Sequence, residues 1–231
     1  MRAHSHLSAA AALFADPARA AILDALVDGR ALPAGELARL AGVSAQTASS
    51  HLRRLLDGGL LTLRVQGRHR YYAIANAEVA HAIETLHLVA PPRPSRSLRQ
   101  SLLAQRLAAA RTCYNHLGGA LAVDIADALV EAGRCERFEA GFRVTPAGVA
   151  FFGGLDIDVI RICGGDPPVT KSCIDWTQRR QHISGPLGSS LLRVLIERAF
   201  IRRNEHDRSV QVTERGRAAL ATLFLKSEKL P

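Results

Sequence analysis

Hydrophobic positions near the start of the chain recur every three or four residues, as they do along one face of a helix. They are Leu13, Phe14, Ala18, Ala21, Ile22, Ala25 and Leu26. Asp28-Gly29 ends this helix, and a second helix is predicted from about Ala34 to the turn at Ala41-Gly42-Val43. Ser44 is placed to act as the N-cap of a third helix, with Gln46 in its exposed first turn. Two helices joined by a glycine-containing turn predict a helix-turn-helix.

An alternating pattern replaces the helical one after the third helix. Leu60–Val65 and Tyr71–Ile74 alternate in the manner of strands around the segment Gln66-Gly67-Arg68-His69-Arg70, which predicts a β-hairpin with a basic tip. A helix-turn-helix followed directly by a basic hairpin is a winged helix. In that architecture the third helix enters the DNA major groove, and the hairpin lies along phosphates or a minor groove.

The charge of the chain favours a polyanionic partner. The formal net charge is +9, with 30 Lys and Arg against 21 Asp and Glu, and DNA or RNA is the usual partner of such a protein. No apolar run reaches the roughly 18 to 20 residues of a membrane span. Asp16, Pro17 and Arg19 interrupt the alanine-rich start where a signal peptide has an unbroken apolar core. We therefore expect a cytoplasmic protein without a membrane partner.

Short hydrogen-bonding side chains on the third helix suit base edges and phosphates, while arginines suit the phosphate charge. The predicted DNA-binding residues are Ser44, Gln46, Thr47, Ser49, Ser50, His51, Arg53 and Arg54 on this helix, and Arg68, His69, Arg70 and Tyr71 on the hairpin. An amphipathic helix with a solvated polar face would explain the leucines behind these residues equally well. It would not explain why a basic hairpin follows.

Several of these residues also carry a family resemblance. They are Asp16-Pro17 and Arg19 in the first helix, Ser50-His51-Leu52 and Leu55 in the third, Gly59-Leu60 after it, and Gly67-Arg68 with Tyr71-Tyr72 across the hairpin. Over roughly residues 8 to 90 the chain resembles the DNA-binding domain of the ArsR family of bacterial transcriptional regulators. The resemblance implies a homodimer that binds an imperfect inverted repeat at a promoter, usually as a repressor released by an effector.

The resemblance leaves the effector open. Metal-sensing family members often carry a Cys-x-Cys pair in the helix before the recognition helix, but the corresponding GELARLAGVS has no cysteine. Glu78, His81, Glu84 and His87 follow one another at steps of three after the hairpin. Such a mixture is more typical of a solvated helix face than of a metal site.

Composition divides the chain into two domains. Three prolines in four residues, with serine and arginine beside them, predict a linker at residues 91–97 between a DNA-binding domain at 1–90 and a C-terminal domain at 98–231. The second domain has a weak internal repeat, because Val144-Thr145 with Gly148 matches Val212-Thr213 with Gly216. The predicted fold is mainly α with small β-hairpin wings (α+β): an N-terminal winged helix-turn-helix and a C-terminal helical domain with winged-helix-like repeats. We expect the second domain to dimerise the protein and to sense an effector.

Two segments of the second domain match each other in Cys, aromatic, His and Gly positions: RTCYNHLGG at residues 111–119 and KSCIDWTQRRQHISG at residues 171–185. Cys113 and His116 are expected on one helix face and, with Cys173 and His182, form a candidate site for zinc or another soft transition metal. The eight residues between Cys173 and His182 are more than metal motifs usually contain.

Three other interpretations of these segments stay open. Cys113, Cys163 or Cys173 would be a redox switch if Arg111, Lys171, Arg179 and Arg180 lowered a thiol pKa. The same residues would be packing residues if the thiols were buried and the histidines donated to carbonyls. An organic ligand would occupy a pocket lined by Tyr114, Trp176 and His182.

We expect no enzyme, because the sequence has no glycine-rich phosphate loop, no paired-carboxylate motif and no third group beside a Cys-His pair. The prediction is a sequence-specific, homodimeric DNA-binding regulator of the bacterial cytoplasm and nucleoid. The alternatives are a protein that coats DNA without sequence preference and a thiol-switch regulator without metal. The ratio of specific to non-specific affinity separates a regulator from a coating protein.

Overall fold

The computed structural model describes residues 6–91 and 97–224. The chain divides into two compact units, Met1–Ile83 and Glu84–Pro231, and the second unit is called the extension below. Pro92–Arg96, the centre of the predicted linker, lies outside the described residues. Within the described ranges, every helix is too short or too polar to cross a membrane.

The first unit is built of short helices followed by a hairpin. Its elements are α1 (Leu7–Phe14), α2 (Pro17–Leu26), β1 (Leu32–Pro33), α3 (Ala34–Ala41), α4 (Ala45–Asp57), β2 (Leu61–Gln66) and β3 (His69–Ile74), and α5 (Ala77–Val89) runs on into the extension. The strands form one antiparallel sheet in the order β1-β3-β2. The winged helix-turn-helix predicted from the sequence is confirmed.

Local signals begin and end these helices, and Asp16 divides the single helix predicted from Leu13 to Leu26 into α1 and α2. The Asp16 carboxylate accepts the Arg19 amide at 3.0 Å and begins α2. Gly42, with a φ of 67°, ends α3 in the left-handed conformation. Two residues later the Ser44 hydroxyl accepts the Thr47 amide at 3.1 Å and begins α4. The α2, α3 and α4 faces meet in a core whose fully buried members include Ile22, Leu23, Leu26, Leu37, Leu52 and Leu55.

The extension consists of hairpins and helices in alternation. Its elements are α6 (Leu98–Ala109), β4 (Arg111–Cys113), β5 (His116–Gly118), α7 (Ala120–Glu131), β6 (Cys135–Phe138), β7 (Gly141–Val144), α8 (Pro146–Gly153), α9 (Val159–Cys163), β8 (Val169–Ile174), β9 (Gln181–Ile183), α10 (Gly185–Glu197), β10 (Ile201–Arg203), β11 (Val210–Val212) and α11 (Glu214–Leu223). From β4 to α8, and again from β8 to α11, the order is hairpin, helix, hairpin, helix. We call these stretches the first half and the second half.

Equivalent residues cap the last helix of each half. The Thr145 hydroxyl accepts the Gly148 amide at 3.1 Å, and the Thr213 hydroxyl accepts the Gly216 amide at 2.9 Å. A Cβ on Gly148 or Gly216 would lie 2.0 or 1.8 Å from a carbonyl oxygen of the turn before the hairpin. Glycine at these positions lets the helix approach that turn closely, which explains the repeat seen in the sequence.

The two halves share one sheet and one core. Strands β6, β7, β8 and β9 form a four-stranded antiparallel sheet in chain order. Beneath it, α7 and α10 contribute the buried residues Leu121, Ile125, Leu129, Leu187, Leu191 and Leu195 to a single hydrophobic cluster. The halves therefore fold as one body.

The structure corrects one local expectation. Cys113 and His116 do not share a helix face; they lie opposite each other on β4 and β5, on either side of a turn in which Tyr114 has a φ of 57°. Cys and His three residues apart fit a helix face and a two-residue hairpin equally well, so the spacing alone did not decide between them.

Candidate functional site

The recognition helix α4 exposes polar side chains and buries apolar ones. Ala48, Leu52 and Leu55 face the core. The exposed residues are Ser44, Gln46, Thr47, Ser49, Ser50, Arg53 and Arg54, all of them predicted to bind DNA. Exposure of this set leaves the N-terminal half of α4 free to contact another molecule.

Some of the exposed residues form side-chain hydrogen bonds within α4 and its cap, and others do not. The Ser44 and Thr47 hydroxyls lie 2.9 Å apart within the cap, and the Ser49 hydroxyl donates to the Ala45 carbonyl at 2.9 Å. Gln46 and Ser50 make no side-chain hydrogen bond in the described part of the chain. Their donors and acceptors are available to base edges.

His51, which the sequence grouped with these residues, lies apart from them. Its side chain is half-buried, and its Nε2 atom lies 3.9 Å from the Asp16 carboxylate. The hydrogen bond from the Arg19 amide is the main reason that the pKa of Asp16 is lowered, and the charges of His51 and Arg19 add to it. His51 therefore faces the N-terminus of α2 rather than the exposed face of α4.

The wing formed by β2 and β3 is basic at its tip. Gln66 and His69 pair across the turn, where Gly67 has a φ of 60°. Arg68, His69 and Arg70 are exposed as predicted, whereas Tyr71 is half-buried opposite Pro33 of β1.

Arg64 on β2 is also exposed, and sequence reasoning missed it. The signal available in the sequence was a basic side chain within the predicted strand Leu60–Val65, just before the basic tip. The wing therefore presents Arg64, Arg68 and Arg70 to solvent.

The extension brings together the four residues proposed as metal ligands. Cys113 pairs with His116 across β4 and β5, and Cys173 pairs with His182 across β8 and β9. The two sulfur atoms are 3.9 Å apart and the two Nε2 atoms 3.1 Å apart. All four ligand atoms lie within 4.8 Å of one another. The residues are 1%, 7%, 7% and 0% exposed in chain order, so the cluster is closed to solvent.

Cys113 and Cys163 do not have the acidity that a redox switch needs. The hydrogen bond with Cys173, followed by burial, raises the pKa of Cys113 to about 12. Burial also raises the pKa of Cys163. Reactive cysteines have lowered pKa values and accessible sulfur atoms. The raised pKa values of Cys113 and Cys163, and the burial of Cys113, are therefore opposite to what the redox hypothesis requires.

Two of the four basic residues expected to activate a thiol pair with carboxylates instead. Arg111 is fully buried, with Nη2 2.8 Å from the Asp175 carboxylate, and Arg180 lies 2.6 Å from Asp127. Asp175 also accepts the Gly119 amide at 2.6 Å. Burial by itself would raise the pKa of Asp175, but the Arg111 charge and the donors around the carboxylate lower it to about 2.

This buried ion pair belongs to a larger network that the sequence did not reveal. Glu84 at the start of the extension pairs closely with Arg208 and lies 3.9 Å from Arg111. Glu84 is thus a buried partner of arginines and not a residue of a solvated face. Arg111 also covers the Trp176 ring at 4.5 Å from its centroid. The network fixes the first hairpin of each half by long-range charge contacts.

The organic-ligand hypothesis finds little support in this geometry. Trp176 is covered by Arg111 on the indole ring and stacks with His87 at 5.2 Å. A small apolar cavity in the extension is lined by Leu117, Ala122, Ile125, Ile183, Gly188 and Leu191. Neither Tyr114 nor Trp176 borders that cavity.

The winged helix is similar to the helix-turn-helix domains of known proteins. Residues 14–64 match the model of a helix-turn-helix domain. The HTH-type transcriptional regulator CmtR of Mycobacterium bovis is 40% identical over 72 residues, which are 31% of this chain and 60% of CmtR. Among solved structures, the NMR structure of the cadmium metal-sensor CmtR from Mycobacterium tuberculosis is 33% identical and covers 40% of this chain and 100% of its own, with a TM-score of 0.32.

A second relative extends the similarity through both units. The uncharacterized HTH-type transcriptional regulator YdfF of Bacillus subtilis is 41% identical over 207 residues, which are 90% of this chain and 92% of YdfF. An alignment of that length includes most of the extension as well as the winged helix. The protein is a transcriptional regulator with a winged helix-turn-helix DNA-binding fold, and the chain belongs to the ArsR-type family of these regulators.

Proposed function

We propose that this regulator binds an inverted-repeat operator as a homodimer and represses transcription until an effector releases it. The observation that carries the proposal is the exposed, hydrogen-bonding N-terminal half of α4 followed directly by a basic wing. We assign no catalytic step to the protein. The extension serves dimerisation and effector sensing.

Base recognition is assigned to Gln46 and Ser50. Both are exposed on α4, and neither side chain is engaged by the described parts of the protein. A glutamine amide can pair with the adenine edge through two hydrogen bonds, and a serine hydroxyl can donate or accept. Loss of either side chain is expected to relax base preference at one position of each half-site.

Phosphate contact is assigned to the wing residues Arg64, Arg68 and Arg70. Each neutralised phosphate releases counterions, so each lost arginine should weaken binding to every sequence and reduce the salt dependence of affinity by about one unit of slope. Arg193 on α10 is a matched control, because it carries the same charge but pairs with Glu197 at 2.8 Å.

Dimerisation is supported by apolar side chains that the single chain leaves exposed. Leu7 on α1 is 79% exposed, and Val89 on α5 and Leu98 on α6 are almost as open. A two-fold dimer presents two recognition helices to successive major grooves about 34–36 Å apart, which matches an inverted repeat.

The deciding experiment compares affinity for a selected operator with affinity for random DNA at one salt concentration. A regulator is expected to prefer the operator by roughly a thousandfold or more. Gln46→Ala should reduce that ratio, Arg68→Ala should lower both affinities together, and Arg193→Ala should change neither. Equal affinity for all sequences would instead identify a protein that coats DNA.

A further inference from the structure

The two halves of the extension contribute equivalent residues to one buried cluster. In each half a cysteine on the first strand of the first hairpin faces a histidine on the second strand. The turn between Ile174 and Gln181 is longer than the turn between Cys113 and His116. The step from Cys173 to His182 is therefore nine residues and not three, although each pair lies opposite across its hairpin. The unusual spacing in the sequence therefore reflects turn length and not a different arrangement of the side chains.

The separations in the cluster match those on a tetrahedral zinc ion. With zinc about 2.3 Å from sulfur and about 2.0–2.1 Å from nitrogen, two thiolates lie about 3.8 Å apart and two imidazole nitrogens about 3.3 Å apart. The observed distances are 3.9 Å between the sulfur atoms and 3.1 Å between the Nε2 atoms. The sulfur–nitrogen separations are within 4.8 Å, against about 3.6 Å on one zinc ion, so these edges would shorten by at most about 1.2 Å on binding.

Small residues and a neighbouring amide hold the ligands in these positions. A Cβ on Gly118 would lie 3.1 Å from the Cβ of Cys113, and a Cβ on Gly188 would lie 3.1 Å from the Cβ of His116. The Asn115 amide oxygen lies 3.4 Å from Nδ1 of His116. A proton on that nitrogen leaves the lone pair of Nε2 directed into the cluster, as metal-binding histidines require.

The ligand nitrogens of the cluster face each other directly. His182 is fully buried, and its Nε2 atom lies 3.1 Å from the same atom of His116. Two imidazole nitrogens at this distance hold either one proton or a cation between them. The two sulfur atoms are also almost 2 Å further apart than the roughly 2.05 Å of a disulfide bond.

Charge balance selects the kind of ion. A divalent ion with two thiolates and two neutral imidazoles forms an uncharged group, whereas copper(I) in the same site would leave a net negative charge. An uncompensated charge is costly in a buried site. Four protein ligands also close the coordination sphere, which is typical of structural zinc sites and not of catalytic ones.

We propose that Cys113, His116, Cys173 and His182 bind one zinc ion that links the two halves of the extension. Binding converts both thiols to thiolates, forms two Zn–S and two Zn–N bonds, and releases two protons to solvent. The site lies outside the helix-turn-helix and needs no second chain.

The test is titration of the reduced, metal-free full-length protein with Zn²⁺ and, as a spectroscopic probe, with Co²⁺. We expect one ion per chain and the visible bands of tetrahedral cobalt, with a near-ultraviolet thiolate-to-cobalt band. Cys113→Ser should reduce that thiolate band to about half, because one of the two sulfur ligands remains. Cys135→Ser is the matched control, since Cys135 is also buried but lies on β6 outside the cluster, and it should leave the spectrum unchanged.

If a variant fails to fold, alkylation of the wild-type protein tests whether the cluster binds zinc. Under mild denaturant, zinc should slow alkylation of Cys113 and Cys173 much more than that of Cys163, as read by mass spectrometry of the peptides. Absence of thiolate bands at saturating Co²⁺, or equal bands in the Cys113→Ser, Cys173→Ser double variant, would overturn the proposal. Because no DNA is present, failure here is separate from failure of operator recognition.

Discussion

Arg111→Met tests whether the buried ion pair stabilises the extension. The change removes the guanidinium 2.8 Å from Asp175 but keeps a long side chain beside Trp176. Loss of one partner of a buried pair costs about 3–5 kcal/mol, because the other charge stays buried. Asp175 keeps its Gly119 and Thr177 donors, and Glu84 keeps Arg208. We therefore expect a loss near the lower limit, about 3 kcal/mol.

Urea unfolding followed by tryptophan fluorescence measures this loss, because Trp176 is the only tryptophan in the sequence and lies in the extension. With a slope of about 2 kcal/mol per molar, the unfolding midpoint should fall by about 1.5 M. Arg143→Met is the matched control. Its pair with Glu136 has the same 2.8 Å separation, but the two side chains are 48% and 59% exposed, so the expected cost is about 0–1 kcal/mol.

Two outcomes would refute this reasoning. The first is a midpoint for Arg111→Met no lower than that for Arg143→Met, both measured with a chelator present. The second concerns the double variant with Asp175→Asn. Removing the orphaned carboxylate should restore part of the stability, and a purely additive loss would show that the two charges do not interact.

Further predictions concern a close backbone approach and a helix cap. Gly148→Ala should destabilise the extension by about 1–3 kcal/mol through overpacking. Gly153→Ala in the same helix places its methyl group in open space and should be neutral or stabilising by up to about 1 kcal/mol. The same urea titration distinguishes the two variants. Asp16 faces Arg19 and His51, and folding lowers the pKa of its carboxyl group below the ordinary value of 3.8. The ionised carboxylate therefore stabilises the fold fully above about pH 3.8, and this stabilisation is lost as the pH falls through the lower pKa of the folded state. Calorimetry from about pH 6 to about pH 3 should therefore show a smaller loss of melting temperature for Asp16→Asn than for the wild type, and equal slopes would contradict this role of the carboxylate.

The winged helix-turn-helix was predictable because the sequence signals that begin and end its helices act over a few residues. Ser44 begins α4 and Gly42 ends α3 through contacts spanning a few residues, and the apolar spacing that buries Leu52 follows directly from the helical repeat. The sequence also placed His51 in α4, but its proximity to Asp16 depends on how α2 packs against α4.

The extension was predictable only in part. The match between Thr145 and Thr213 revealed the repeat, since each caps a helix within its own half. The Arg111–Asp175 pair joins residues that are distant in the sequence, and no local pattern encodes such a contact. Strand pairing, and not helical spacing, brings Cys113 beside His116. The expected helix face was therefore wrong, while the assignment of these residues as metal ligands stays a prediction.

The duplicated architecture also determines how the cluster assembles. One Cys-His pair on a separate chain would meet its equivalent only by bimolecular association, at a level set by protein concentration. Here both pairs belong to one chain whose two halves share a core. Their encounter is therefore set by a fixed effective concentration, roughly millimolar or higher for short tethers, and not by protein concentration. The affinity of the proposed site for its ion should therefore be the same in dilute and concentrated protein, so metal occupancy would not depend on the proposed homodimer.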